Sequence, residues 1–541
     1  MFKMTFQKGE PNRIHYRSYR NFNKDNFASD LQNRLRNITT FDSFEAIFVN
    51  TLDMHAPMKQ KLLRANNKPF MNKNLKKAIS TRSRLRNIAN KSGSDQDIAN
   101  YKRQRNHVTY LNRKTQKEYF TKLDPKNVQT SKTFYQTFKP FFSSKYTPME
   151  KIILVEKGNI ISDDLSISEL MNHYFSHITD TLVIEEWPTS VSINTIQDQI
   201  SKSTLKYSNH PSIIKLKLSL QNKDKFKFHP ISPNDIAKEV KRLDVSKGTS
   251  GDIPTKIIKD YLSQFIIPLT DCFNNSLYEN KFPDLLKLAD VTPIFKKDDK
   301  TNKENYRAIS VLKVFAKILE RFLCKQLTQF MESKFSPFLC GFRKGYSTQH
   351  ALIRLLEDWR SRLDQKEIIG TILCDLSKAF DTLPHDLLLA KLEAYGLDYD
   401  SLNLINDYLT NRKQRIKVGS SYSTWSEINI GVPQGSVLGP LLFNIFINDF
   451  FLFLDKTSIC NFADDSTIYA NGKNINEVIY KLEDDITNAL IWFKSNRMVA
   501  NPKKFQLMFL GTRTIPKMRL EIDGHSSFSS TTVKLLGISL C

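Results

Sequence analysis

Apolar residues along this chain fall into two rhythms. Over "STQHALIRLLEDWRSRL", Ala351, Leu352, Leu355, Leu356, Trp359 and Leu363 recur at helical spacing, which predicts a helix capped by Ser347. "PHDLLLAKLEAYGL" predicts another, with Pro384 in its first turn and Gly396 as its stop. "IIGTILCDL" is a short β-rich run ending at Asp375. "SICNFADDSTIYA" predicts strand, turn and strand, because Phe462, Ala463, Ile468 and Tyr469 flank an acidic pair. Further upstream, Ile214, Leu216, Leu218 and Leu220 alternate with polar residues, and after turn residues Phe226 and Phe228 resume the alternation. That pattern predicts a hairpin. The Ser-, Thr- and Asn-rich "EEWPTSVSINTIQDQISKSTLKYSNHPS" before it predicts a linker. The expected organisation is a mainly helical segment over 1–185, a linker and hairpin over 186–225, and a mixed α+β domain over 226–541.

Charge sharpens this picture. The chain carries 80 Lys and Arg against 56 Asp and Glu, a net +24, with 40% hydrophobic residues. It is globular in composition and attracts polyanions, nucleic acid first and an acidic membrane surface second. Between Lys59 and Lys122 there are 18 basic residues against 3 acids, leaving +15 in that stretch. Leu75, Ile79, Leu85 and Ile88 keep helix-compatible spacing there. The run reads as a solvated basic face or as a phosphate-tracking arm, and so one-sided a charge favours the arm. The 6 cysteines show no metal-ligand spacing and suit reduced thiols of an intracellular protein, nuclear, cytoplasmic or both. "MFKMTFQKGEPNRIHYRSYR" has no apolar core of a signal peptide, so secretion is not expected. "GPLLFNIFINDFFLFLD" is broken by Asn444, Asn448 and Asp449 and is too polar for a bilayer, so no membrane partner is expected.

The candidate chemistry lies in the acids. If the two strand-like runs are neighbours in one sheet, Asp375, Asp464 and Asp465 converge, and such a cluster does not ionise fully without a divalent cation. Carboxylates plus water suit Mg²⁺, and two such ions activate a 3′-hydroxyl and steady a leaving pyrophosphate. Taken alone, an Asp-Asp pair is also a common surface turn and Asp375 a helix cap.

The companions of these acids resemble a known family. "CDLSKAFD", "GVPQGSVLGPLLFNIFIND", "FADD", "NPKK" and "VKLLGISL" occur in the order and spacing of reverse-transcriptase motifs A to E. "KGTSGDIP", "VTPIFKKDDKTNKENYRAISVL" and "GFRKGYSTQHAL" resemble finger motifs of non-LTR (LINE-type) retrotransposons, especially the jockey-like group. The resemblance covers residues 226 to 541. It implies an RNA-directed DNA polymerase with a right-hand fingers-and-palm fold, an antiparallel palm sheet and a basic helical extension before it. Its partners would be an RNA template, a DNA primer or nicked target DNA, and dNTPs. Its cofactor would be two Mg²⁺ ions, with Mn²⁺ as an alternative.

Residue by residue, the resemblance makes Asp375 and Asp464 the principal metal ligands, Asp465 a weaker third and the Leu376 carbonyl a further one. Phe380 matches the steric gate that rejects a ribose 2′-hydroxyl, though alone it reads as a core phenylalanine. Gln434 and Gly435 match the loop under the incoming nucleotide and template base, where a missing side chain permits close approach. Arg307 and Lys296 or Lys297 would hold the triphosphate, and Lys504 would protonate the pyrophosphate. Without the family these cations read as exposed surface charges. Asp381 fits the family pattern, but a cap on the following helix is the favoured reading.

The pattern departs at Ala308, where the family usually has Pro, and at Phe462, where it usually has Tyr. The chain stops at Cys541 with no thumb expected, and the first 225 residues show no nuclease constellation, so DNA cutting is not expected. An idle nucleic-acid-binding remnant is the alternative reading. A viral RNA-dependent RNA polymerase is disfavoured by Phe380 and by "GFRKGYSTQHAL".

Overall fold

The computed structural model describes residues 13–62, 69–124, 128–129, 133–134, 137–138, 151–178, 198–220, 224–251, 253–512, 519–522 and 525–540. They divide into two compact units, one of residues 1–18 and 58–151, the other of residues 19–57 and 152–541. The boundaries expected at 185 and 225 do not coincide with this division.

In the smaller unit, strands β1 (Arg13–Arg17) and β2 (Met58–Leu62) pair antiparallel. Two helices, Lys73–Ser92 and Asp95–Thr121, pack through a small core of Phe70, Leu75, Ala78 and Val108. The Asn72 side chain caps the first by accepting from Leu75 N at 2.8 Å, and Gly93 ends it at φ 64°. The helices expected in the basic segment are present, and most of their cations are exposed.

In the larger unit, helices Lys24–Arg34 and Phe41–His55 join the core of the remainder. Phe44 and Phe48 meet Phe265 with ring centroids 5.9 and 5.1 Å apart. A hairpin of β3 (Leu154–Glu156) and β4 (Asn159–Ile161) is followed by the helix Asp164–Ser176. A mixed sheet then forms from β5 (Leu288–Phe295), β6 (Tyr306–Val311), β8 (Arg412–Val418), β9 (Ser421–Tyr422) and β10 (Ser426–Ile428). Its order is β10-β8-β5-β6 with β9 beside β8, and β5 runs parallel to β8. A second sheet, fully antiparallel, has the order β11-β12-β7-β13, with β7 (Ile368–Cys374), β11 (Ser458–Phe462), β12 (Asp465–Gly472) and β13 (Gln506–Leu510). Two short hairpins follow, β14 (Arg519–Ile522) with β15 (His525–Phe528) and β16 (Val533–Leu535) with β17 (Ile538–Leu540).

The continuous apolar run of β7 follows from cover on both faces. Ile369 and Leu373 join Leu352, Leu355 and Trp359 of the helix Thr348–Asp364, while Ile372 and Cys374 belong to the main core. At Gly370 the helix Ile475–Ser495 comes so close that an added Cβ would lie 2.7 Å from Leu482 Cδ1 and Val478 Cγ1. Gly370→Ala is therefore expected to lower stability by about 1–3 kcal/mol through overpacking. Thermal denaturation beside the wild type checks this.

Two local expectations change. The alternation over 214–220 is a helix, Pro211–Ser219, not half of a hairpin. Ile213 and Leu216, one turn apart, are buried, whereas Ile214 and Leu218 are exposed. Pro211 starts the helix, and Phe226 pairs with Leu397 instead. Part of the expected linker is likewise a helix, Gln199–Lys206, with Ile200 buried; residues 179–197 lie outside the described residues. Elsewhere Ser347 caps the helix Thr348–Asp364 and Gly396 closes His385–Tyr395 at φ 107°, as the pattern predicts, but Leu356 is exposed.

Candidate active site

Asp375 is the first residue after β7, and β12 pairs with β7 so that Ser466 faces Cys374. This register brings Asp465 level with Asp375. Asp464 occupies the turn between β11 and β12, whose last pair is Phe462 with Asp465. The turn is held by its surroundings. Ala463 sits at φ 59°, a left-handed conformation that a non-glycine residue adopts at a cost of roughly 1–2 kcal/mol. Asn461 Nδ2 donates to Ala463 O at 2.9 Å and to Ser466 Oγ at 2.9 Å. Gly341 lies against the same turn, and a Cβ there would be 2.3 Å from Ala463 N.

Behind Asp375, the segment around Ala500 bridges Leu376 antiparallel. Asn501 N donates to Asp375 O and Ser377 N to Val499 O, at 2.9 and 2.8 Å. These bonds flank Leu376, so its own carbonyl faces away from the bridge. The same segment carries Lys504, whose Nζ is 3.1 Å from Asp375 Oδ2.

Electrostatics ties these groups together. Surrounding protein, then the Asp464 and Asp375 carboxylates, raise the Asp465 carboxyl to about 6, with Lys296 opposing, although part of the side chain stays open to solvent. Lys296 follows β5 and Arg307 lies on β6, opposite Ile294. Crowding by protein, then Arg307 and Lys504, lower the Lys296 ammonium below its ordinary value, while Asp375 raises it. Lys297 adds to the repulsion. Both lysines and Arg307 are exposed.

Phe380 is half-buried, stacked on Phe443 at 4.5 Å, and touches exposed Phe342 edge-on at 5.7 Å. Gln434 and Gly435 belong to a loop stitched to this turn and to β6. Val432 N donates to Phe380 O at 2.8 Å, and Ser310 N to Gln434 O at 2.7 Å. Gly435 is at φ 112°, and a Cβ there would lie 2.6 Å from Ser310 O. Its missing side chain thus admits the β6 backbone, a reason different from the close approach of a substrate. Asp381 caps no helix, since the helix after it begins at His385 with Pro384 as its cap; its carboxylate accepts from Gln434 Nε2.

Sequence reasoning missed Glu320. It is fully buried on the helix Val314–Met331 and accepts from Val437 N and Leu438 N at 2.6 and 3.2 Å, fixing the loop after Gln434. Burial pushes its carboxyl up, with Arg412 opposing. A lone acid inside the apolar "FAKILERFL" is the signal that marks it.

Among the described residues no group of three or more His, Cys, Asp or Glu is already closed into a metal-holding set. The donors at this sheet end are nevertheless all hard oxygens, the kind that suits Mg²⁺ completed by water and phosphate.

Residues 294–540 match the family described as "Reverse transcriptase (RNA-dependent DNA polymerase)". The matched segment makes up a little under half of the chain. The chain is 30% identical over 328 residues to a probable RNA-directed DNA polymerase from transposon BS of Drosophila melanogaster, covering 58% of this chain and 36% of that protein. It is 31% identical over 245 residues to a probable RNA-directed DNA polymerase from transposon X-element of the same fly, 44% of this chain and 27% of that protein. It is 26% identical over 329 residues to the RNA-directed DNA polymerase from mobile element jockey of the same fly, 57% and 35% of the two chains. The chain thus spans well under half the length of these relatives. Among the described residues no helix is long and apolar enough to cross a membrane.

Proposed function

We propose that this chain is an RNA-directed DNA polymerase of the non-LTR retrotransposon kind, joining dNTPs to a primer 3′-hydroxyl on an RNA template. The observation that carries the reading is the juxtaposition of Asp375, Asp464 and Asp465 at one end of the β7 and β12 pair, inside a reverse transcriptase segment. The antiparallel sheet is then the palm, and the β5–β6 hairpin with its neighbours the fingers. The catalytic domain runs over residues 226–541, with residues 19–57, 152–178 and 198–220 as supporting layers.

Asp375 and Asp464 would hold Mg²⁺, with Asp465 and the Leu376 carbonyl beside them; the all-oxygen donor set supports this. When bound, the ions supply charge stabilisation at the attacked phosphate and a more acidic 3′-hydroxyl. The chain's own residues do the rest. Arg307 grips triphosphate oxygens through its fork, and Lys296 and Lys297 add point charges. Lys504, 3.1 Å from Asp375, keeps a proton close to the leaving pyrophosphate. Phe380, braced by Phe443, bars a 2′-hydroxyl.

Primer extension on a poly(rA)/oligo(dT) duplex with dTTP and Mg²⁺ tests the reading, and extension is expected. Tight duplex binding with no extension in Mg²⁺ or Mn²⁺ would mark a binding protein instead.

The basic unit supports nucleic acid as the partner. Lys77, Arg84 and Lys91 recur every seventh residue on an exposed helix face, opposite buried Leu75 and Ala78. On the neighbouring helix, exposed Arg103, Lys114 and Lys117 surround Tyr110. Replacing Lys77, Arg84 and Lys91 by Ala is expected to weaken single-stranded RNA binding and to flatten its salt dependence by about 2 log units per log unit of salt. Fluorescence anisotropy between low and moderate salt reads this slope, and an unchanged slope would remove the arm from the RNA interface.

A further inference from the structure

Asp381 makes a contact that the reaction above does not use. Both of its carboxylate oxygens accept from Gln434 Nε2, each at 2.8 Å. An ionised carboxylate only accepts, so the Gln434 amide must turn its NH₂ group towards Asp381 and its Oε1 the other way. A glutamine without such a partner is free to present either end. The backbone holds the pair in place, because Phe380 O accepts from Val432 N and Gln434 O accepts from Ser310 N.

We propose that Asp381 is a positioning residue that fixes the polarity of the Gln434 amide, so that Gln434 offers the incoming nucleotide a hydrogen-bond acceptor and not a donor. An acceptor there meets hydroxyl and amino hydrogens and turns away phosphate oxygens. The position therefore reads the sugar or the base edge of a deoxynucleotide. This rests on the polymerase reading of the site.

The surroundings keep the arrangement near a switching point. Enclosure by protein raises the Asp381 carboxyl to about 6, against the pull of the Gln434 hydrogen bond, Lys378 and Arg307. Tyr174 and Glu304 are further titratable neighbours, and Lys287, Arg412 and Lys413 line the same cavity as Asp381: Lys378 Nζ donates to Tyr174 Oη at 2.7 Å, and Glu304 and Asp381 both help raise the tyrosine, whose shift to about 12 comes first from burial. When Asp381 takes up a proton, its O–H can donate to Gln434 Oε1, and the reversed amide becomes equally well bonded.

The test has two arms. In the first, the chain is labelled with ¹⁵N-glutamine, and Gln434→Ala identifies the Gln434 side-chain amide signal. That signal is expected to shift with a midpoint close to pH 6 in the wild type and to lose this titration in Asp381→Asn. This arm needs no polymerisation, so it stands even if the chain extends no primer. In the second, Asp381→Asn is expected to raise the KM for dNTP by roughly five- to twenty-fold, the scale of one hydrogen bond, with kcat within a few-fold. The wild-type KM should rise towards the variant's value as pH falls through 6, while the variant's KM stays flat. A Gln434 amide signal indifferent to pH and to Asp381→Asn would overturn the proposal. So would a variant that loses kcat and melting temperature together at unchanged KM, which is the mark of a merely structural contact.

Discussion

Asp464→Asn is expected to reduce primer extension by roughly 10³-fold or more, since removing several kcal/mol of transition-state charge stabilisation costs a factor of ten for each 1.4 kcal/mol. The substitution keeps size and most hydrogen-bonding capacity, so template and primer binding should stay near wild type. Stability should not fall. Asp465 is raised to about 6 by the protein around it and by Asp464 and Asp375. A carboxyl with a raised folded pKa is penalised when ionised, so above pH 6 it disfavours the fold. Removing the Asp464 charge relieves part of that penalty. Activity should collapse while the melting temperature holds or rises, the opposite movement expected of residues kept for chemistry at the expense of stability. Extension assays and thermal melting at pH 7.5, run on the same preparations, check both halves. Undiminished extension would remove Asp464 from the reaction.

The part of this site that is legible in the sequence is the part written locally. β7 and β12 are short apolar runs that end or begin at a carboxylate, and the expectation that they adjoin needs only one long-range pairing. Ser347, Pro384 and Gly396 act within one helical turn, so their roles can be read without knowing the fold. The misread stretch at 214–220 shows the limit of periodicity. Leu216 satisfies both a strand and a helix pattern, and the choice is made by which neighbours bury Ile213 and leave Leu218 in water. Gly435 was legible as a glycine that something must approach, but not that the approaching group is the Ser310 carbonyl. The contacts of Asp381 and Glu320 were illegible for a related reason, although its apolar setting marks Glu320 itself. Their partners, Gln434 and the Val437 and Leu438 amides, lie far along the chain, and what a buried acid accepts from is known only once the fold brings the donors to it.

The largest expected effect on folding lies below the site, at a contact between two residues that neither periodicity nor motif brought together. Lys391 and Asp449 are both fully buried, with Nζ 2.5 Å from Oδ1. Lys391 also donates to Phe446 O at 2.8 Å, and Trp492 Nε1 donates to Asp449 Oδ2 at 2.8 Å. Burial pulls the Lys391 ammonium below its ordinary value, with Asp449 opposing. The cluster joins three helices, His385–Tyr395, Gly439–Ile447 and Ile475–Ser495, the last of which supports β7 and β12. Removing one partner leaves a buried charge without its counter-ion, so Asp449→Asn and Lys391→Met are each expected to lower stability by about 3–5 kcal/mol. Replacing both, as Lys391→Met with Asp449→Leu, should recover most of the loss, because apolar substitutes for a buried ion pair are often neutral or better. Recovery should stop short of wild type by about 1–3 kcal/mol, the penalty for leaving the Trp492 N–H buried without an acceptor. Adding Trp492→Phe removes that donor and should close part of the gap, less the volume it gives up. Denaturant midpoints of the four variants beside wild type distinguish this order from simple additivity. If Asp449→Asn alone is as stable as wild type, the pair does not hold the helix that supports β7 and β12.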